Sequence, residues 1–169
     1  MQHIISTPRL FITYFDISMA KSVHLNSLDV DNYKYVPDEV FETEQEAKDT
    51  ITYLIECYQT THGPFVYPII LKSGENIGYV QAIPISDEWE VGYHIAEKFT
   101  KKGYATEALS AFIPYIMHKL KIKKLWGVCH GDNIASKKVL EKCGFNLVYQ
   151  GIENYHGQQQ SIFKYHYKI

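Results

Sequence analysis

The tightest constraint on this fold lies between residues 89 and 144. There a β-rich run, WEVGYHIA (Trp89 to Ala96), leads through the turn TKKGYAT (Thr100 to Thr106) into a segment where Ala105, Ala108, Leu109, Phe112 and Ile116 recur at helical spacing. The alternation repeats at once, with the strand-like KKLWGVCH followed by a helix opening at Asp132 or Asn133 and closing at Gly144. Two strands joined through a helix are expected to be parallel neighbours with a right-handed crossover. A helix then leaves the carboxyl end of each, so both helix N-termini face one end of the sheet, where ligands of open α/β sheets bind. Their unpaired N–H groups and partial positive charge make an anion site without a basic side chain. Gly103 and Ala105 keep that approach clear enough for a diphosphate. The same two residues also serve simply as a turn glycine and a helix-packing alanine, and neither GxxxxGK[ST] nor GxGxxG is present.

The remaining chain surrounds this unit with strands. LFITY (Leu10 to Tyr14) reads as an opening strand, and Asp16 caps a short helix. Thr43 and Glu46 stand in capping-box spacing ahead of a helix whose face carries Ala47, Ile51, Leu54, Ile55 and Tyr58, ended by Gly63. FVYPIILK, IGYVQAIPI and WEVGYHIA, separated by polar breakers, form an antiparallel meander. Pro114 predicts a kink in the helix that begins near Gly103. Two closing strands run from Phe145 to Tyr155 and from Ser161 to Lys168, joined across Gly157. The expected architecture is α/β (α+β), a mixed, mostly antiparallel sheet of about seven strands with flanking helices and one central parallel pair.

With 169 residues, residues 1–169 are expected to form a single domain with its own core. A formal charge of -2 gives no general attraction to nucleic acid or acidic membranes. The three dispersed cysteines, Cys57, Cys129 and Cys143, form neither a disulfide framework nor a paired metal motif. The expectation is a cytoplasmic protein without a membrane span, metal or nucleic-acid partner. Cys129, His130 and Asp132 have metal-ligating chemistry but run from a strand into a cap, which argues against zinc.

KKGYATEA, followed some thirty residues later by DNIASKKVLEKCGF, resembles the GNAT N-acetyltransferase family, in particular its ribosomal-protein N-terminal acetyltransferase branch. The resemblance implies acetyl-CoA as co-substrate and transfer to a primary amine, a peptide N-terminus or a small molecule, with room for a homodimer. The family's phosphate pattern maps onto Thr100, Gly103 and Ala105, with Thr100 departing from the usual Arg or Gln. It places Lys101, Lys102, Gly103, Tyr104, Ala105 and Thr106 around the diphosphate, backbone near Ile95 beside the pantetheine arm, and Asn133 and Ser136 toward pantetheine and sulfur. Asn133 and Ser136 are equally an N-cap and a first-turn serine.

Glu90 resembles the glutamate that assists amine deprotonation in several members, although putting Glu90 and Ile95 together in the family's positions needs a one-residue bulge. Without it, Glu90 faces away from the cleft and Trp89 replaces it. Leu140 occupies the place where many members carry a tyrosine that protonates the leaving thiolate, which makes Ser136 the substitute. Tyr33, Tyr35, Phe41, Tyr155 and His156 are expected around the acceptor. A non-catalytic acyl-CoA-binding module on the same fold is the alternative function.

Overall fold

The structure is a computed structural model that describes residues 3–155 and 157–169; His156 lies outside them. Its strands are β1 (His3–Ser6), β2 (Leu10–Thr13), β3 (Phe65–Leu71), β4 (Asn76–Ile85), β5 (Glu88–Ile95), β6 (Lys124–His130), β7 (Asn146–Tyr155) and β8 (Gln158–Lys168). They form one sheet in the order β1-β2-β3-β4-β5-β6-β8-β7, in which, among the described residues, only β5 and β6 pair in parallel. The parallel pair is where the crossover rule puts it. The strand count is eight rather than seven, because HIIS, a four-residue strand with both ends exposed, pairs with β2 at the sheet edge.

Among the described residues the α-helices that flank the sheet are α1 (Ala20–Ser27), α2 (Val30–Tyr35), α3 (Glu44–Cys57), α4 (Tyr104–Leu120) and α5 (Ile134–Lys142). Asp16 caps a three-residue 3-10 turn before α1 by accepting the Ser18 N–H. Thr43 caps α3 by accepting the Glu46 N–H, but Glu46 reaches back to the N–H of Glu42, so the capping box closes one residue early. α4 carries Pro114 on its exposed side without interruption. No helix among the described residues is long and apolar enough to cross a membrane.

Strand alternation divides the core between the two faces. Val80, Ala82, Val91, Ile95 and Leu125 point toward α4 and α5 and join Leu109, Phe112, Ile116 and Leu140 in the main cluster. Val66, Ile70 and Tyr79 point the other way and pack with Phe15, Ile51 and Leu54 beneath α1 and α3. Helices therefore cover both faces.

The β4–β5 ladder depends on Gly78, which has φ 150° and pairs with Ile95. A Cβ there would lie 2.0 Å from the backbone oxygen of His94, a contact no rotamer relieves. Gly78→Ala is expected to lower unfolding free energy by about 3 kcal/mol in urea titration with an unchanged m-value, from backbone strain and overpacking together.

Candidate active site

β5 is laddered to β4 from Glu88 to Ile95, and β6 to β8 from Lys124 to His130. Between themselves β5 and β6 pair only at Glu90 with Trp126 and Val91 with Gly127. Each strand follows its outer partner, so among the described residues no ladder pair joins Gly92–Ile95 to Val128–His130. The sheet opens there into a wedge. Tyr93 reaches from β5 across its α4–α5 side, its hydroxyl 2.8 Å from the Ser136 hydroxyl and donating to the Ser136 carbonyl at 3.0 Å.

Beyond the carboxyl end of β5 the chain passes through a 3-10 turn, Glu97–Phe99, into the start of α4. Lys101 (φ 61°) and Gly103 (φ 80°) are both left-handed, an uncommon state for a lysine that costs roughly 1 kcal/mol or more. Gly103 is the N-cap residue, has no side chain to offer, and accepts the Glu107 N–H through its carbonyl. The N–H groups of Tyr104, Ala105 and Thr106 thus precede the first intrahelical bond of α4. Thr100 turns its hydroxyl back to the Glu97 carbonyl, so it takes no part in this cradle.

Arg9, which sequence reading passed over, is docked at the same turn. It donates to the Lys102 carbonyl at 2.8 Å, pairs with Glu107 at 2.6 Å and lies over the Tyr104 ring. Thr7 and the Arg9 backbone N–H bind the other Glu107 oxygen. Glu107 is acidic and sits in the first turn of α4; the guanidinium answers that charge. Ninety-eight residues separate Arg9 from Glu107, and no local pattern signals the pair.

On the other arm, Asn133 caps α5 by accepting the Ser136 N–H at 3.0 Å. α5 packs closely over β6 because Gly127 leaves room; a Cβ there would meet Leu140 at 2.5 Å. Leu140 is fully buried, so the place of the family's tyrosine holds a packing residue. The hydroxyl near Ser136 comes instead from Tyr93, whose pKa burial drives far upward. It acts there as a hydrogen-bond donor.

The opposite face carries a different set. β4 and β5 pair without a register shift, so the bulge that would bring Glu90 and Ile95 to one face is absent. Glu90 therefore faces away from Tyr93 and Ile95, as expected without the bulge, and sits in the last stretch where β5 and β6 are still paired. It lines a groove with Val128, Tyr155, Ile162 and Lys164 on the α1–α3 side. Trp89 does not replace it: its ring stacks on Phe65 in the core. Burial pushes the Glu90 carboxyl up to about 7; Lys164 opposes the rise and Glu39 adds to it. Glu39, also unanticipated, accepts from Gln81 at 2.9 Å, and Gly92 makes the space in which Gln81 lies.

α2 straddles the wedge on this side. Asp29, just before α2, accepts the Glu97 N–H beyond β5 and lies 3.5 Å from His94, while Lys34 pairs with Asp132 beyond β6 at 2.5 Å. Tyr35 meets His130 edge-on, and Tyr155 does so from β7. Phe41 lines a cavity under α3, whereas the Tyr33 hydroxyl turns outward to Glu42. Cys129 is buried in the main core with its thiol pushed up to about 11, chiefly by burial.

A family model described as an acetyltransferase (GNAT) domain matches residues 9–146. The chain is 28% identical over 143 residues to YnaD, an uncharacterised N-acetyltransferase of Bacillus subtilis (strain 168), covering 83% of this chain and 81% of YnaD. Among solved structures, an acetyltransferase of the GNAT family from Bacillus anthracis aligns with a TM-score of 0.83 at 24% identity over 97% of each chain. RimL, the ribosomal L7/L12 alpha-N-protein acetyltransferase solved with coenzyme A, aligns at 0.83 and 21% identity over 99% of this chain and 98% of its own. The chain belongs to the GNAT acetyltransferase family and is an N-acetyltransferase.

The raised Glu90 pKa has a consequence for stability that needs no substrate. Between its ordinary value of 4.5 and about 7 the folded protein holds a proton that the unfolded chain releases, so this group's contribution to stability declines as pH rises through that window. Glu90→Gln should therefore melt close to the wild type below pH 4.5 and progressively above it toward pH 8. A melting-temperature difference independent of pH would mean that Glu90 titrates as an ordinary surface carboxylate.

Proposed function

We propose that this N-acetyltransferase moves the acetyl group of acetyl-CoA directly to a primary amine, of a protein N-terminus or a small molecule, within a ternary complex. The observation that carries this reading is the wedge between β5 and β6, which opens at one end onto the uncapped start of α4. The diphosphate lies on the backbone amides from Lys101 to Thr106, where Gly103 and Ala105 leave them accessible and helix charge favours an anion. The pantetheine arm follows Gly92 to Ile95 as an added strand, using backbone that β6 has left. Asn133 meets it through its side-chain NH2 while its oxygen caps α5.

The acceptor enters from the face that carries Glu90, and the thioester reaches it through the wedge. A lysine-like amine, with a pKa near ~10.4, arrives mostly protonated and must lose a proton before attack. Glu90 takes it, directly or through water, and a carboxylate held near neutrality is better matched to that task than one at its ordinary value. Nitrogen then bonds to the acetyl carbon, backbone N–H polarises the carbonyl, the C–S bond breaks, and the second proton on nitrogen passes to the departing sulfur or to water, leaving the neutral amide and CoA. Ser136 donates a hydrogen bond to that sulfur. Tyr93, bonded to Ser136, orients its hydroxyl, and a thiol of pKa about 8.5 asks little of an acid.

Free-thiol release from acetyl-CoA in the presence of an amine panel tests the reaction. Gly103→Val, which places a branched side chain on the diphosphate approach, should weaken CoA binding at least about 10-fold by calorimetry, consistent with losing one well-made anion contact. Unchanged affinity in a folded variant would move the diphosphate elsewhere.

Rate against pH tests the base. The wild-type rate should rise through about 7 as Glu90 ionises. Glu90→Gln should lose roughly 10²- to 10⁴-fold and that inflection, while binding CoA normally. An inflection that persists in the variant belongs to another group.

A further inference from the structure

Beneath α1 and α3, on the acceptor face, lies a cavity of about 310 Å³. That is at the lower end of the roughly 300–1,000 Å³ of small-molecule sites. Its walls are chiefly apolar, from Phe15, Val23, Phe41, Leu54, Val66 and Ile83. The polar side chains among them are largely engaged within the protein. Asn32 donates to the Ser27 carbonyl, Asn26 to the Asn76 carbonyl, and Ser27 binds the backbone of His24 and Phe41. A hydroxyl-rich guest would find few partners there and would lose its own hydration.

The cavity wall adjoins Glu90 through the β4–β5 ladder. Ile83, in its wall, is the direct cross-strand partner of Glu90, and Gln81 is the partner of Gly92, where β5 leaves β6. Glu39 stands at the join: it lines the cavity, accepts from Gln81, and its charge is felt at Glu90. With Asp38 also in the wall, two carboxylates line a chamber whose walls are otherwise chiefly apolar. Such a chamber complements a guest that is cationic at one end and apolar at the other.

We propose that the acceptor is a primary amine carrying an aromatic or branched aliphatic group, with the apolar body in the cavity below α3 and the amino group held between Glu39 and Glu90. This rests on the acetyl-transfer reading and narrows its substrate class. Hydrophilic polyamines and amino sugars lack the apolar body and are poor acceptors. Glu39 attracts the ammonium to the place where Glu90 removes its proton.

Two amines of nearly equal basicity, 3-phenylpropylamine and n-propylamine, separate the body from the head. Burial of a phenyl ring predicts a kcat/KM about 100-fold higher for the phenyl compound. Ile83→Trp, which fills the chamber beside Glu90, should collapse that ratio toward one. On unmodified protein, 3-phenylpropylamine should raise the melting temperature without acetyl-CoA, and propylamine at the same concentration should not. Equal rates for the two amines, or a phenyl preference that survives Ile83→Trp together with no thermal shift, would overturn the cavity assignment while leaving acetyl transfer standing. No thiol release with any amine, with CoA nonetheless bound, would instead remove the acetyl-transfer reading. A dimer in solution that Ile83→Trp dissociates would give the cavity to a second copy of the chain and overturn the proposal.

Discussion

The parting of β5 from β6 is the constraint on which the remainder of the site depends. Each strand is committed along its length to an antiparallel partner on its outer side, and the two share only the Glu90–Trp126 and Val91–Gly127 pairs. A continuous sheet would bury the backbone of Gly92 to Ile95 in a ladder and separate the two faces completely. By opening, the sheet leaves the backbone of Gly92 to Ile95 without a ladder partner on its β6 side, just beyond the last shared pairs. Glu90 and Glu39 approach that point from the α1–α3 side, Tyr93 and Ser136 from the α4–α5 side.

The helices hold this opening rather than fill it. α5 sits close on β6 because Gly127 lacks a side chain, and it is tied to α4 through the contact of Ser110 with Cys143 and of Cys143 with the Thr106 carbonyl. Both helix N-termini are thereby fixed relative to the sheet. Arg9 performs a related task from the bend just before β2, answering the Glu107 charge and binding the Lys102 carbonyl, so that the acidic residue in the first turn of α4 is neutralised. On the acceptor side α2 links the ends of the two arms through Asp29 and Lys34.

Much of this was legible in the sequence because it is local. The change from two-residue to helical periodicity after Ala96 and again after His130 gives the parallel pair and its crossover, and Gly103 and Asn133 mark the helix starts. Features set by pairing between distant segments were not. β1 is four residues with no alternation to betray it, and the face on which Glu90 lies depends on the β4–β5 register, where the bulge inferred from the family is absent. Tyr93 was not legible because the hydroxyl beside Ser136 comes from the facing strand rather than from α5, where Leu140 stands. The cavity below α3 is assembled from α1, α3 and the faces of β3 to β5, and no one of these segments announces it.

A crystal structure of the acetyl-CoA complex bears most directly on the wedge as a preformed cofactor slot. The pantetheine should run beside Gly92 to Ile95 with β5 and β6 still parted beyond Val91, the diphosphate on the amides from Lys101 to Thr106, and the thioester between Glu90 on one face and Ser136 on the other. CoA bound away from the β5–β6 opening, or a ladder closed between Gly92–Ile95 and Val128–His130 in the complex, would contradict it.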